Sequence, residues 1–290
     1  TPAVEMRPKD FSVTEIETLR RDPYAVYARR ILRLEPLEPL LRDPGAAERG
    51  SLFHDIIHAF SMAGIDPAAP DATEQLLDIG RKLFDEAALP PDIDAVWWPR
   101  FAQMAANLIV WDSGRPHGIT GRHAELSATR TQVGPTGATL RGRADRIDTR
   151  PGGMADILDF KTGSSPSKAQ AHTLLSPQLA LEGALLMRGA FAGLGRCMPS
   201  ELAYVRLKAN GEVFEESILE YNRQPKSAVQ LSDEAWEKLE RLLAHYHAPS
   251  TGYLSRALPF RAEDTSGHYD HLARVREWSA GVDGEAGEGE

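Results

Sequence analysis

The sequence predicts an α/β fold: a mixed sheet flanked by helices, with a mostly helical N-terminal extension. Three observations lead there. The first third of the chain places apolar residues at helical spacing between proline breaks. Past Gly118, three strand-like runs are separated by Gly-Pro and Pro-Gly-Gly turns. After residue 168, helical and strand-like segments alternate, as they do when helices cover a sheet.

The elements follow in order. Ser12 with Glu15 is a capping-box pattern and opens a helix to about Arg21. Asp22-Pro23 caps a second, in which Tyr24, Tyr27, Ile31 and Leu34 share a face until Pro36, Pro39 and Pro44 break it. Helices are predicted over 46–63, 72–88 and 92–112. Strands are predicted over 120–131, 137–149 and 155–162 as a central three-stranded meander. A helix over 168–189, strands over 201–208 and 212–219, and a helix over 231–247 complete the core, with a short helix near 269–279. Residues 1–117 thus read as the helical N-terminal part and 118–280 as the core with its C-terminal helices, together one compact unit. The last ten residues hold four acids and no base, and read as a disordered tail over 281–290.

Composition removes several function classes. The single cysteine, Cys197, excludes an intrachain disulfide framework and a cysteine-ligated iron–sulfur cluster, and suits a reducing, intracellular setting. The most apolar stretch, 174–194, is broken by Pro177, Gln178, Glu182 and Arg188, so no membrane span is expected. The first residues have no apolar signal region, and the missing initiator Met reads as a piece of a longer chain. No phosphate-binding glycine loop with Lys-Ser/Thr is present, which argues against an ATPase. Net charge is −9, yet residues 115–170 hold nine bases against five acids, a balance compatible with a phosphate-bearing substrate.

The most informative segment runs from Arg141 to Gly163. A hairpin symmetric about Gly152 pairs residues whose numbers sum to 304, which sets Asp145 opposite Asp159. Like charges so placed, with Cβ atoms about 4.5–5.5 Å apart, are destabilising unless something neutralises them. Mg2+ or Mn2+ would, since both prefer carboxylate oxygens. Lys161, two residues past Asp159, projects from the same strand face, while Leu158 and Phe160 point into the core.

These motifs, GRADRID and ILDFKTG, resemble the core of the PD-(D/E)xK nuclease superfamily in its RecB-like branch. FSVTEIETLRRDPYAVYARRILRLEPL, GSLFHDIIHAF, SPQLALEGALL and HYDHLARVREWS resemble, in the same order, the C-terminal nuclease domain of AddB-type helicase–exonuclease subunits. The resemblance covers roughly residues 10–280. It implies a restriction-endonuclease-like sheet and metal-dependent DNA cleavage, exo- or endonucleolytic, in double-strand break repair and recombination. Asp145 and Asp159 would be metal ligands, His54 would complete the site, and Lys161 would be the catalytic lysine. Gln178 would lie near the scissile phosphate or its water, and Glu125 would support the site through a second metal or a water. The implied cofactor is Mg2+ or Mn2+. The implied partners are DNA, as a single strand delivered from a duplex end, an AddA-type helicase–nuclease subunit, and the rest of a longer chain. The implied setting is the bacterial cytoplasm, at the nucleoid.

Two departures from that family stand out. Asp22 occupies the position of a cluster cysteine, and the C-terminal segment has none, so the two ends would be joined by packing of Tyr24, Tyr27, Tyr269 and Trp278. Glu182 stands where the branch often has Tyr, which weakens a DNA-stacking role. Two other function classes stay open: a catalytically silent DNA-holding or assembly module, and a zinc hydrolase built on His54 and His58, at i and i+4 of one helix. Trp97, Trp98, Trp111 and Trp236 read as core residues rather than base-stacking platforms.

Overall fold

The computed structural model describes residues 1–36, 44–115, 118–163, 165–259 and 267–279. The acidic tail over 281–290 lies outside the described residues.

A five-stranded mixed sheet runs in the order β2 (Gly121–Ser127), β5 (Arg143–Arg150), β6 (Met154–Lys161), β7 (Met198–Leu207), β8 (Val213–Ser217). Neighbours are antiparallel except β6 and β7, whose parallel pairing requires the crossover through α6 (Lys168–Ala171) and α7 (Gln178–Met187). The central hairpin has the expected register: Arg146 faces Leu158 and Ile147 faces Ile157, on either side of a turn in which Gly152 takes φ +77.

The alternation of side chains along these strands sorts them into two cores. Ile147, Ile157, Leu202 and Tyr204 face α1 (Val13–Arg21), α7 and α8 (Ala228–His247). Leu158, Phe160, Ala203 and Val205 face α3 (Ala46–Met62), α4 (Ala72–Glu86) and α5 (Pro91–Ser113). Trp97, Trp98 and Trp111 sit in the second core and Trp236 in the first. The capping box at Ser12 and Glu15 forms as expected. At Gly183 the two helices α7 and α8 approach so closely that an added Cβ would lie 2.2 Å from Ser232 Oγ.

The structure corrects four expectations. The run over 137–149 divides at Gly142: β4 (Ala138–Arg141) joins β1 (Asp10–Ser12) and β3 (Thr131–Val133) in a separate three-stranded sheet, and β5 goes to the main one. Only the second half therefore belongs to a meander. The helix over 168–189 is two helices, because the chain turns at residues 172–177 before Pro177 precedes the first residue of α7. Among the described residues of the expected helix near 269–279, helix begins only at α9 (Val275–Ser279).

The fourth concerns the joining of the two ends. Asp22 Oδ1 accepts from Arg256 N at 3.1 Å, and the Arg256 guanidinium meets Asp270 at 3.3 Å. Tyr269 donates to Leu34 O at 2.7 Å. Tyr24 and Tyr27 stack onward to Tyr253 and Tyr246, whereas Trp278 is half exposed and bonds its own segment at Ala273 O. Polar bonds thus share the join with three of the four proposed aromatics, Trp278 being the exception.

A buried charge network was not foreseen. Arg146 holds Asp112 through two hydrogen bonds, at 2.7 and 2.8 Å, and also bonds Asp148. Arg115 and Arg150 both reach Asp156, and Arg115 also pairs with Glu215. All these groups lie on the α5 side of the sheet, and mutual pairing offsets the cost of removing them from water.

Candidate active site

The site lies where β2, β5 and β6 run side by side. Successive pairs put Glu125, Asp145 and Asp159 in one row across the three strands. Both ladders lapse at that row: pairing passes from Ala124–Arg146 to Leu126–Ala144 on one side and stops at Arg146–Leu158 on the other. Three adjacent carboxylates oppose regular pairing. Glu125 has φ +52, an unfavourable backbone for a residue with a Cβ, and such strain persists where surrounding structure imposes it.

Asp145 Oδ2 takes up the freed backbone group, accepting from Phe160 N at 3.0 Å. From α3, His54 Nε2 approaches the same oxygen at 2.8 Å, and its Nδ1 lies 3.4 Å from Glu125 Oε1. Arg143 pairs with the other Glu125 oxygen at 2.7 Å. His54, Glu125 and Asp145 each offer a ligand atom within 4.8 Å of the others, the one such group of three among the described residues.

Asp159 is fully buried. Its Oδ2 lies 2.7 Å from Lys161 Nζ, and its Oδ1 has no hydrogen-bond partner. Lys161 Nζ also faces Gln178 Oε1, on α7, at 3.4 Å. His54 and Gln178 therefore close on the carboxylate row from opposite faces of the sheet.

The electrostatics follow from burial and crowding. Burial pushes the Asp159 carboxyl up to about 7, with the Asp145 charge adding to it. Burial acts in the same sense on Asp145, but the hydrogen bond and charge of His54 prevail and lower it. The Asp145 hydrogen bond raises His54 against desolvation. Desolvation would depress Lys161, yet the Asp159 carboxylate outweighs it and holds the ammonium above its usual range. An acid-rich, oxygen-lined site with an orphaned buried carboxylate oxygen has the donor chemistry of a hard divalent cation.

One buried acid beside Gln178 lies outside the expected site residues. Glu182 is buried one turn beyond Gln178, its Oε2 has no partner, and burial holds its carboxyl well above the ordinary range. Its spacing of four from Gln178 was the available signal. His58 does not join the group around His54: its Nδ1 is buried without a partner, and Asp55 is exposed. The zinc arrangement on that helix therefore lacks its second histidine.

The sequence profile of the PD-(D/E)XK nuclease superfamily matches residues 10–263. The chain belongs to this nuclease superfamily. Among curated relatives, an uncharacterized protein of Rickettsia bellii is 28% identical over 185 residues, and one of Rickettsia conorii is 29% identical over 189. Each match covers 63% of this chain, which spans 22% and 23% of those longer proteins. Among solved structures, the crystal structure of SSO0001 matches 80% of this chain and 75% of its own, with 13% identity and a TM-score of 0.31. The superfamily is one of metal-dependent nucleases, and the matched span includes the carboxylate row. No helix among the described residues is long and apolar enough to cross a membrane.

Proposed function

We propose that this chain hydrolyses DNA phosphodiester bonds with Mg2+ or Mn2+. The supporting observation is the placement of His54, Asp145 and Glu125 around one point, beside the Asp159–Lys161 pair. His54, Asp145 and Asp159 would hold the cation, and Glu125 would bind a second one or a water. A bound divalent cation supplies Lewis-acid stabilisation of charge on a phosphoryl oxygen. Lys161 would orient the attacking water and stabilise charge that develops on the phosphorane. Gln178 would hold Lys161 or the water in line. Phe160 N–H fixes the Asp145 carboxylate, and His54 approaches from the far side, so the ligands are preorganised before substrate arrives.

The biological setting is part of the same proposal. The ordered motifs resemble AddB-type subunits, which supports a role in double-strand break repair and recombination in the bacterial cytoplasm, at the nucleoid. An AddA-type helicase–nuclease partner would feed a single strand from a duplex end to this site. A chain that spans less than a quarter of its longer relatives suits a module within such an assembly. A silent DNA-holding module is the second reading, and the intact Asp145, Asp159 and Lys161 set weighs against it.

The test is degradation of linear single- and double-stranded DNA with Mg2+ or Mn2+, using wild type, Asp159→Ala and Lys161→Ala. The proposal expects turnover in wild type and a loss of about 100-fold or more in each variant. Turnover that survives both substitutions would refute the assigned site. If the wild type is inert, Mn2+ titration against Asp159→Ala separates a partner-dependent nuclease, which binds the ion, from a silent module, which does not.

A further inference from the structure

We propose that Arg143 is a substrate-binding residue of this site: it neutralises Glu125 until a divalent cation takes that carboxylate, and its guanidinium then transfers to a phosphate of the nucleic-acid strand. The inference rests on the nuclease reading for its ligand. Ala144 packs into the first core, so its neighbours Arg143 and Asp145 project from the other face of β5, where His54 stands. On β2, Leu126 packs on that same core, and Glu125 points away from it. Ser127 pairs with Arg143, which makes Glu125 its diagonal neighbour. Among the described residues, Arg143 is the one arginine paired with a carboxylate of the row. Arg130 and Arg141 turn to Asp10 instead, and Arg146 is held between Asp112 and Asp148.

The contact between Arg143 and Glu125 is suited to exchange. Arg143 Nε lies 2.7 Å from Glu125 Oε2, yet that buried oxygen has no aligned hydrogen-bond donor. Charge holds the pair, without the two directed bonds of a forked one. The Arg143 side chain is 66% exposed, whereas that of Glu125 is 11% exposed. Water therefore receives the guanidinium readily, and the net energy of so exposed a pair is small. A cation on Glu125 satisfies the oxygen and repels the arginine. The released guanidinium carries five donors in a planar fork, the shape that fits two oxygens of one phosphate. Arg143 thus exchanges a carboxylate for a phosphate, and the charge of the site stays balanced as cation and strand arrive.

Two binding measurements on the full chain test this. Mn2+ affinity is read by calorimetry at fixed pH without nucleic acid. A mixed-sequence single-stranded oligonucleotide is titrated separately, with Ca2+ as the site cation. Arg143→Gln is expected to bind Mn2+ about threefold more tightly, the size of an exposed ion pair. It is expected to bind the oligonucleotide about tenfold more weakly, with a salt slope reduced by about one. Arg143→Lys returns the charge without the fork, so Mn2+ affinity should return to wild type and oligonucleotide affinity only in part. In a Glu125→Gln background, Arg143→Gln should no longer tighten Mn2+. An arginine that only braces Glu125 predicts the opposite sign, weaker Mn2+ binding without it. Mn2+ binding that is unchanged or weaker in Arg143→Gln, or oligonucleotide binding that is unchanged, would overturn the proposal. DNA cleavage is scored separately. Both binding shifts with no cleavage by the wild type would keep the Arg143 role and count against the nuclease reading. Cleavage with neither shift would keep that reading and overturn this proposal.

Discussion

Asp145 Oδ2 is shared by His54 Nε2 at 2.8 Å and Phe160 N at 3.0 Å. One carboxylate oxygen thereby ties helix α3 to the strand that carries Asp159 and Lys161. The arrangement predicts that Asp145→Asn weakens Mn2+ binding at least about tenfold and leaves the fold intact. Calorimetric titration measures the first and circular dichroism the second.

Stability should depend on pH in a metal-sensitive way. Asp159 titrates near 7 in the folded chain, above its ordinary 3.8, and His54 is raised as well. The stabilisation that comes with their bound protons is complete below the unfolded values and is lost as pH rises through the folded ones. Asp145 is lowered, so its share acts in the opposite sense, at acid pH below its unfolded value. The metal-free protein should therefore lose melting temperature progressively as pH rises from about 4 through about 7. Mn2+ should restore more of it at pH 8 than at pH 6, because the cation displaces those protons. Asp159→Asn should flatten the metal-free curve and abolish the Mn2+ effect. Scanning calorimetry with chelator, then with Mn2+, reads all three.

The Arg146 network makes a different demand. Arg146→Ala would leave Asp112 and Asp148 buried beside each other without their shared cation. A loss of about 3–5 kcal/mol follows for a broken buried pair, readable by urea denaturation. Asp112→Ala should cost less, because Arg146 keeps Asp148.

Gly183→Ala tests how α7 is seated. The added methyl would meet Ser232 Oγ at 2.2 Å and Ser232 Cβ at 3.3 Å, so the hydroxyl must turn away and the α7–α8 contact must give by a few tenths of an ångström. The expected cost is about 1–3 kcal/mol. Because Gln178 rides on α7, cleavage should fall with it. Gly183→Ala combined with Ser232→Gly should recover both stability and activity.

Much of the site was legible because its geometry is local. The symmetry of the hairpin about Gly152 set the register, and side-chain alternation put Lys161 beside Asp159. The capping box at Ser12 is likewise read within four residues. What escaped depends on distant partners. Nothing between 137 and 149 says that Arg141 and Arg143 belong to different sheets; only Gly142, packed against Val13 and Leu185, marks the switch. Asp112, Arg115 and Arg146 look like ordinary surface charges until α5 is laid on the sheet. Glu182 reads as a departure from a family pattern: its spacing from Gln178 puts it on the same helix face, but its burial depends on residues distant in the chain.

The most direct test of the metal site is anomalous diffraction from crystals soaked in Mn2+. A peak bonded to His54 Nε2 and to the carboxylates of Asp145 and Asp159, with the Lys161 ammonium alongside, is the predicted result. No peak at saturating Mn2+, or a peak elsewhere with His54 still bonded to Asp145, would contradict the account.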